Sequence, residues 1–387
     1  MNDNEILNVL DFGDSKIRFT IFDKKLDKIF SDNAINKKLD NINQNLDQII
    51  KIIKKGEKKI KSHVENIILI TDSKETLSID LSYFKSLDEY ESLESVYDNI
   101  LKEVNHLINS NYVNHIILHN VLNKLTIDGI VFNELPIVNK NIKNIKLDLK
   151  FICFPKSKIE ELNMIFKKNN INILNIFCTS YVKTISYLRK LNLKSVSFLE
   201  MGWERTTYLK YENNILECIH SIPVGSFHIT KDISKVLKIS LEDAEKIKKK
   251  FNQSETEFSY ENNNNKSSLN IHEFISKNIS VDLLKKVILY RVQEIIDLLY
   301  KETDLKFNKK KIKKNKLFLI GQGSNLFKNN SFHIQDKFQF ESFNIYEELD
   351  SDICKSGLAF HINNYKKSNL SQKKQGLFEK FFNFFNK

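Results

Sequence analysis

Apolar residues first gather in two short β-rich runs, Leu7–Phe12 and Ile17–Phe22, on either side of Gly13-Asp14-Ser15-Lys16. That arrangement predicts a hairpin with turn-forming residues at its tip. Two later stretches repeat the theme. Val196–Lys210 is again strand, acidic residue, glycine turn and strand, and Leu317–Leu326 places a glycine turn after an apolar strand. Between and after them the pattern shifts to helical spacing. Ile42, Leu46, Ile49, Ile50 and Ile53 mark one helix, and Asp88–Ser110 carries Leu93, Val96, Tyr97, Ile100, Leu101, Val104, Leu107 and Ile108 on one side. Helices are also predicted at Lys156–Lys168, Tyr181–Leu191, Leu241–Phe251 and Ser280–Tyr300. Strands are predicted at Val64–Thr71, Tyr112–Leu118, Ile145–Phe154 and Ile171–Phe177, with a small hairpin at Leu125–Ile130. Strands interleaved with helices predict an α/β architecture.

The chain ends on a different pattern. Tyr365–Gln375 reads as a polar linker, and Gly376–Lys387 follows. On a helix, Leu377, Phe378, Phe381, Phe382, Phe384 and Phe385 fill one arc of about 160°, opposite Glu379, Lys380, Asn383, Asn386 and Lys387. At about 18 Å such a helix is too short to span a bilayer. It is suited to lying in the interface, Phe face down. From Lys366 onward there are six Lys and one Glu, an excess that suits anionic lipid.

Composition narrows the picture. A chain of 387 residues, 41% hydrophobic, can bury a sizeable core and form two or more domains. The net charge of +11 favours anionic partners, membrane surfaces included. Nucleic acid is not among the expected partners, because the basic run Lys309–Lys316 lacks interleaved aromatics. Cys153, Cys178, Cys218 and Cys354 are scattered, without metal-site spacing, and read as reduced thiols. No apolar run is long enough to cross a bilayer, and the opening MNDNEILN does not read as a signal peptide.

The candidate chemistry lies in the glycine turns. A hairpin of the first kind can wrap a phosphate with backbone N–H groups, Ser15 and Lys16, while Asp11 could hold a hydrated Mg²⁺ beside it. Three such turns suit a nucleotide gripped between two related halves. Glu245 and Lys248 lie three apart on one helical face and fit either a ribose hydroxyl or an ordinary surface pair.

Here the chain resembles the actin-like ATPases, and within them the FtsA family, which tethers FtsZ filaments to the membrane in bacterial division. Asp11-Phe12-Gly13-Asp14-Ser15-Lys16 resembles the first phosphate loop, with Gly202, Arg205 and Thr206 in the second. Gly321-Gln322-Gly323-Ser324 resembles the adenosine motif, and the run Ile222–Ile233 (IPVGSFHITKDI) and Ala244-Glu245-Lys246-Ile247-Lys248 match two further family runs. The resemblance implies an actin-like (ribonuclease H-like) two-domain fold binding ATP and Mg²⁺. It assigns 1–85 and 151–192 to one α/β subdomain, 86–150 to a small insertion, and 193–238 and 312–364 to the second subdomain. Residues 239–311 become a helical insertion, with Arg291 and Glu294 as candidates on the FtsZ-docking part. Implied partners are the FtsZ C-terminal peptide, other division proteins, further copies of the chain and the inner membrane surface at midcell.

Two departures weigh against brisk hydrolysis, and a third bears on self-association or a partner role of the small insertion. Thr179-Ser180 stands where the family begins a helix with Glu-Pro, whose carboxylate can orient the attacking water. Glu200 replaces an Asp, and Trp203-Glu204-Arg205 replaces Gly-Gly-Thr. The insertion also lacks the family's glycine-rich run at Asn133–Lys143. A phosphotransferase of the same superfold and an actin-like pilus-assembly protein are the alternatives.

Overall fold

The computed structural model describes residues 6–36, 46–87, 93–132, 135–136, 142–253, 280–302, 315–324, 326–327, 331–338, 340–346 and 348–373. Of the polar loop expected at Asn252–Asn270, Asn252 and Gln253 end a helix and the rest lies outside the described residues, as do most of the basic run before Lys316 and the Phe-rich tail. The chain divides into two compact units: residues 1–72, 160–190 and 349–387, and residues 73–159 and 191–348.

The first unit is built on β1 (Leu7–Phe12), β2 (Lys16–Phe22), β3 (Lys28–Ile35), β4 (Asn66–Thr71) and β9 (Asn172–Cys178). Their order is β3-β2-β1-β4-β9. β1 pairs antiparallel with β2 and parallel with β4. The central strands carry continuous apolar runs because helices cover the sheet. Ile49, Ile52 and Ile53 of α1 (Leu46–Ile60) and Leu162, Ile165 and Phe166 of α3 (Lys156–Lys168) pack on Leu10, Phe19 and Leu69. The remaining helices of this unit are α4 (Thr179–Leu191) and α9 (Asp350–Lys373).

The helix α9 departs from expectation twice. Predicted to close the second half, it packs instead on β1, β2 and β4. It also continues to Lys373, through most of the segment read as a linker. Neither is visible locally, because helix continuation and the choice of sheet both depend on tertiary contacts.

The second unit repeats the first sheet's plan. β10 (Val196–Met201), β11 (Thr206–Glu212), β12 (Ile215–Ile222), β13 (Lys316–Ile320) and β14 (Ser342–Ile345) run in the order β12-β11-β10-β13-β14. In each sheet an antiparallel meander is extended by two parallel strands. The helices here are α5 (Ser226–Leu237), α6 (Leu241–Gln253), α7 (Val281–Glu302) and α8 (Ser331–Phe338). Leu284, Ile288, Val292, Ile295 and Leu299 form the buried stripe of α7, and they meet Leu199, Ile229, Ile233 and Leu319 in one core. A 3.6-residue period thus does the same work as the sheet's apolar face, burying area at roughly 25 cal/mol per Å².

The insertion forms a four-stranded sheet in the order β5-β8-β6-β7, from β5 (Leu77–Ser86), β6 (His115–Ile127), β7 (Ile130–Phe132) and β8 (Asn144–Pro155). The helix α2 (Leu93–Asn111) covers one face through Val96, Ile100 and Val104.

Candidate functional site

In the first unit, the hairpin turn closes as predicted, with the Gly13 N–H donating to the Lys16 carbonyl at 3.2 Å. The cations beside it are engaged within the protein. Asp11 is buried, and its Oδ2 accepts from Arg18 at 2.6 Å. Its Oδ1 accepts from Thr179 Oγ1 at 3.1 Å. Burial pushes the Asp11 carboxyl above its ordinary range, against the pull of Arg18, Thr179 and Lys183. Arg18 and Lys16 both reach the Asp350 carboxylate at the start of α9, and Asn33 adds a third donor. Burial works to raise Asp350, yet the hydrogen bonds and charges of Lys16 and Arg18 hold it below its usual value.

Thr179 opens α4 where the family has a carboxylate. It ties the helix to β1 through Asp11 instead of presenting an acceptor to a water. Asp72, at the end of β4, caps the same helix. It accepts from the Ser180 N–H at 3.1 Å, from Ser180 Oγ at 2.9 Å and from Cys178 Sγ at 3.2 Å. A short polar side chain just after a buried strand was the available signal for Asp72. Asp350, 332 residues from Arg18 in sequence, offered none.

In the second unit, the second glycine turn and the adenosine-type motif do come together. The Gly323 N–H points to the Met201 carbonyl at 3.3 Å, and Gly321 sits with φ +87° against the end of β10. The Gly321 N–H donates to Glu348 Oε2 at 2.8 Å. The Ser324 N–H is taken by the Gly321 carbonyl at 3.1 Å. Gln322 lies at the tip of the same turn, between them in sequence.

The other expected nucleotide ligands of this loop face into the protein. Arg205 is buried, pairs with Glu200 at 3.8 Å and donates to Thr207 Oγ1. Thr206 Oγ1 donates to the Val224 carbonyl at 2.7 Å. Both were expected to face a phosphate. Arg205 lies just before β11 and Thr206 opens it, and both side chains are buried.

The loop also closes on α5. The Ser226 N–H donates to the Gly202 carbonyl at 2.9 Å, and the Phe227 N–H to the Trp203 carbonyl at 2.8 Å. The Gly225 N–H donates to His228 Nδ1 at 3.2 Å. The first-turn donors of this helix, which an anion would otherwise seek, are therefore largely satisfied. Gly225 is required for this closeness: a Cβ there would lie 2.6 Å from the Trp203 carbonyl oxygen.

The Trp203 ring stacks on Phe227, with centroids 4.9 Å apart and planes 18° apart. Lys248 Nζ sits 4.8 Å from the Trp203 ring centroid. The same ammonium donates to the Ser226 carbonyl at 3.0 Å and to Thr230 Oγ1 at 2.9 Å, and pairs with Glu245 at 2.7 Å. Burial lowers the Lys248 pKa, against the raising effect of Glu245. Glu245 also accepts from Thr230 at 2.6 Å. The two side chains expected to reach a ribose thus bind α6 to α5. Glu204 points to Lys74 at 3.6 Å.

Arg291, on α7, forks onto Asp232 of α5 at 2.5 and 3.0 Å, and pairs with Glu294 at 2.7 Å. Burial opposes but does not outweigh the Asp232 hydrogen bonds, which raise its pKa. Among the described residues there is no group of three or more His, Cys, Asp or Glu side chains placed to hold a metal. Of the expected nucleotide ligands, Asp11, Lys16, Arg205, Thr206, Glu245 and Lys248 have their polar groups engaged within the protein.

Two sheets of identical order, each ending in a glycine turn, define a protein of the actin-like ATPase fold. The solved PilM–PilN type IV pilus biogenesis complex is similar over 92% of this chain and 98% of its own, with TM-score 0.61 and 10% identity. MreB5 of Spiroplasma citri bound to AMPPNP is similar over 96% and 100%, with TM-score 0.53 and 12% identity. The sequence profile described as "Cell division protein FtsA" matches residues 198–360. Two proteins named cell division protein FtsA, from Helicobacter pylori strains 26695 and J99, are each 26% identical over 188 residues. That stretch is 46% of this chain and 38% of each relative, so the match spans well under half the length of those relatives. Over residues 198–360 the chain is similar to the FtsA family.

Proposed function

We propose that this chain is a cell division protein of the FtsA type, a scaffold that holds FtsZ filaments at the inner face of the cytoplasmic membrane at midcell. The single observation that carries the reading is the profile match over 198–360, which runs from β10 to α9. In this reading the tail Gly376–Lys387 lies in lipid, and the helical region 239–311 takes the FtsZ C-terminal peptide. Other division proteins and further copies of the chain are additional partners. Thr179 in place of a carboxylate supports a scaffold over a turnover enzyme, since its hydroxyl is engaged with Asp11.

The test is co-sedimentation of FtsZ polymers with anionic vesicles. FtsZ is expected to pellet with vesicles only when this chain is present, and to stay in solution when its C-terminal peptide is removed. Recruitment that ignores that peptide, or no recruitment at all, sinks the proposal. The likeness to the PilM–PilN complex motivates a second reading, an actin-like pilus-assembly scaffold, and failure of FtsZ recruitment with intact vesicle binding would favour it.

A further inference from the structure

We propose that the second unit carries its own occupant in place of a purine nucleotide: the Trp203 ring and the Glu348 carboxylate stand on the groups that an actin-like protein would offer to base, ribose and phosphate. The inference does not depend on FtsZ or on lipid.

The observations converge from three elements. Loop 202–205 spends its backbone carbonyls on the first N–H groups of α5, at 2.9 and 2.8 Å. Its Trp203 ring lies parallel to Phe227 and beneath Lys248, a stack closed on one side by a cation. A purine is a planar ring system that seeks the same two things, an aromatic face and a neighbouring polar group. On the other motif, the Gly321 N–H holds a carboxylate, an anion supplied by the chain at residue 348.

A ligand would have to unstack Trp203, strip Lys248 of Ser226, Thr230 and Glu245, and replace Glu348. Each loss subtracts from whatever its own contacts provide. Glycine at 203 and 204, as the family keeps it, would place no ring there and no second anion. The substitution therefore converts a ligand-dependent element into a self-sufficient one. The unit's fold then needs no nucleotide to complete it.

Trp203 is the single tryptophan of the chain, so its emission reports this stack alone. The full chain is titrated with MgATP to millimolar concentration while emission is followed, and heat is measured in parallel by calorimetry. The expected result is unchanged emission, no saturable heat and no rise in Tm. A ligand held at micromolar affinity would raise Tm by several degrees under those conditions. Saturable heat, with or without a change in emission, overturns the proposal. A second arm uses Trp203→Ala, checked for native secondary structure by circular dichroism. Gain of a nucleotide-dependent rise in Tm is expected. A folded variant that still ignores MgATP overturns the role given to Trp203, and the wild-type titration stands whether or not that variant folds.

Discussion

At the scale of single residues, the first turn is governed by a chain of alternating charge, Asp11–Arg18–Asp350–Lys16. Arg18 joins two carboxylates of opposite tendency: burial raises Asp11, while Lys16 and Arg18 lower Asp350. Removing one partner of a buried pair leaves the other uncompensated and costs about 3–5 kcal/mol. Arg18→Gln is therefore expected to lower the melting temperature by several degrees. The loss carries a pH signature. With Arg18 gone, the folded pKa of Asp11 rises further above its unfolded value, so the folded state favours the protonated acid. The variant's deficit is then smallest at low pH and grows as pH rises through the folded pKa. Melting curves of variant and parent at pH 5 and pH 8 check this; an equal deficit at both would discard the account. Half of this network was legible. Once Gly13–Lys16 is read as a tight turn, antiparallel register puts Arg18 directly opposite Asp11, as observed. Asp350 was not legible, because nothing local announces that a helix in the last tenth of the chain will cap this hairpin.

At the scale of elements, long periodic segments were the readable part. Lys156–Lys168 and Leu241 onward appear as helices where spacing put them, and α7 matches its predicted stripe within two residues at either end. Less periodic pieces escaped. The strand β3 is polar and half-exposed at a sheet edge. In α5, Ile222–Ile233 was recognised as a family run without its helix being inferred, since only Ile229 and Ile233 supply its apolar spacing in that stretch. Yet α5 is the hinge of the site, and Gly225 is where it meets loop 202–205. A methyl group there would strike three backbone atoms within 2.8 Å, none able to swing away as a side chain could. Overpacking of this kind costs typically 1–3 kcal/mol. Gly225→Ala is expected to lower Tm and to shift Trp203 emission to the red as the stack with Phe227 opens. A lowered Tm with unchanged emission would mean that the loop and the ring move independently, contrary to the hydrogen bonds of Ser226 and Phe227.

At the scale of the whole molecule, two copies of one sheet plan were foreshadowed by two copies of one strand–turn–strand pattern, but the path of the chain between them was not. The tail poses the remaining question, whether charge or apolar surface would carry the proposed attachment to lipid. The two contributions can be separated by arithmetic. The chain carries +11, and residues 376–387 hold Lys380, Lys387 and Glu379, a net of 2 − 1 = +1. A chain ending at Gln375 therefore keeps 11 − 1 = +10, losing almost none of its attraction for anionic lipid. It loses all six apolar side chains of the predicted interfacial face, five of them Phe. Each buried apolar side chain of this size is worth roughly 1.5–3 kcal/mol, against about 1 kcal/mol for a basic residue near the surface. If the Phe face is the anchor, truncation should lower vesicle binding at least tenfold at physiological salt. Binding of the full chain should then survive a rise in salt that abolishes what the truncated chain retains, because screening acts on exposed charge and not on buried area. Co-sedimentation with anionic vesicles at two salt concentrations measures both. Equal binding by the two chains, lost together at high salt, would assign the attachment to the basic body and leave the tail without that role.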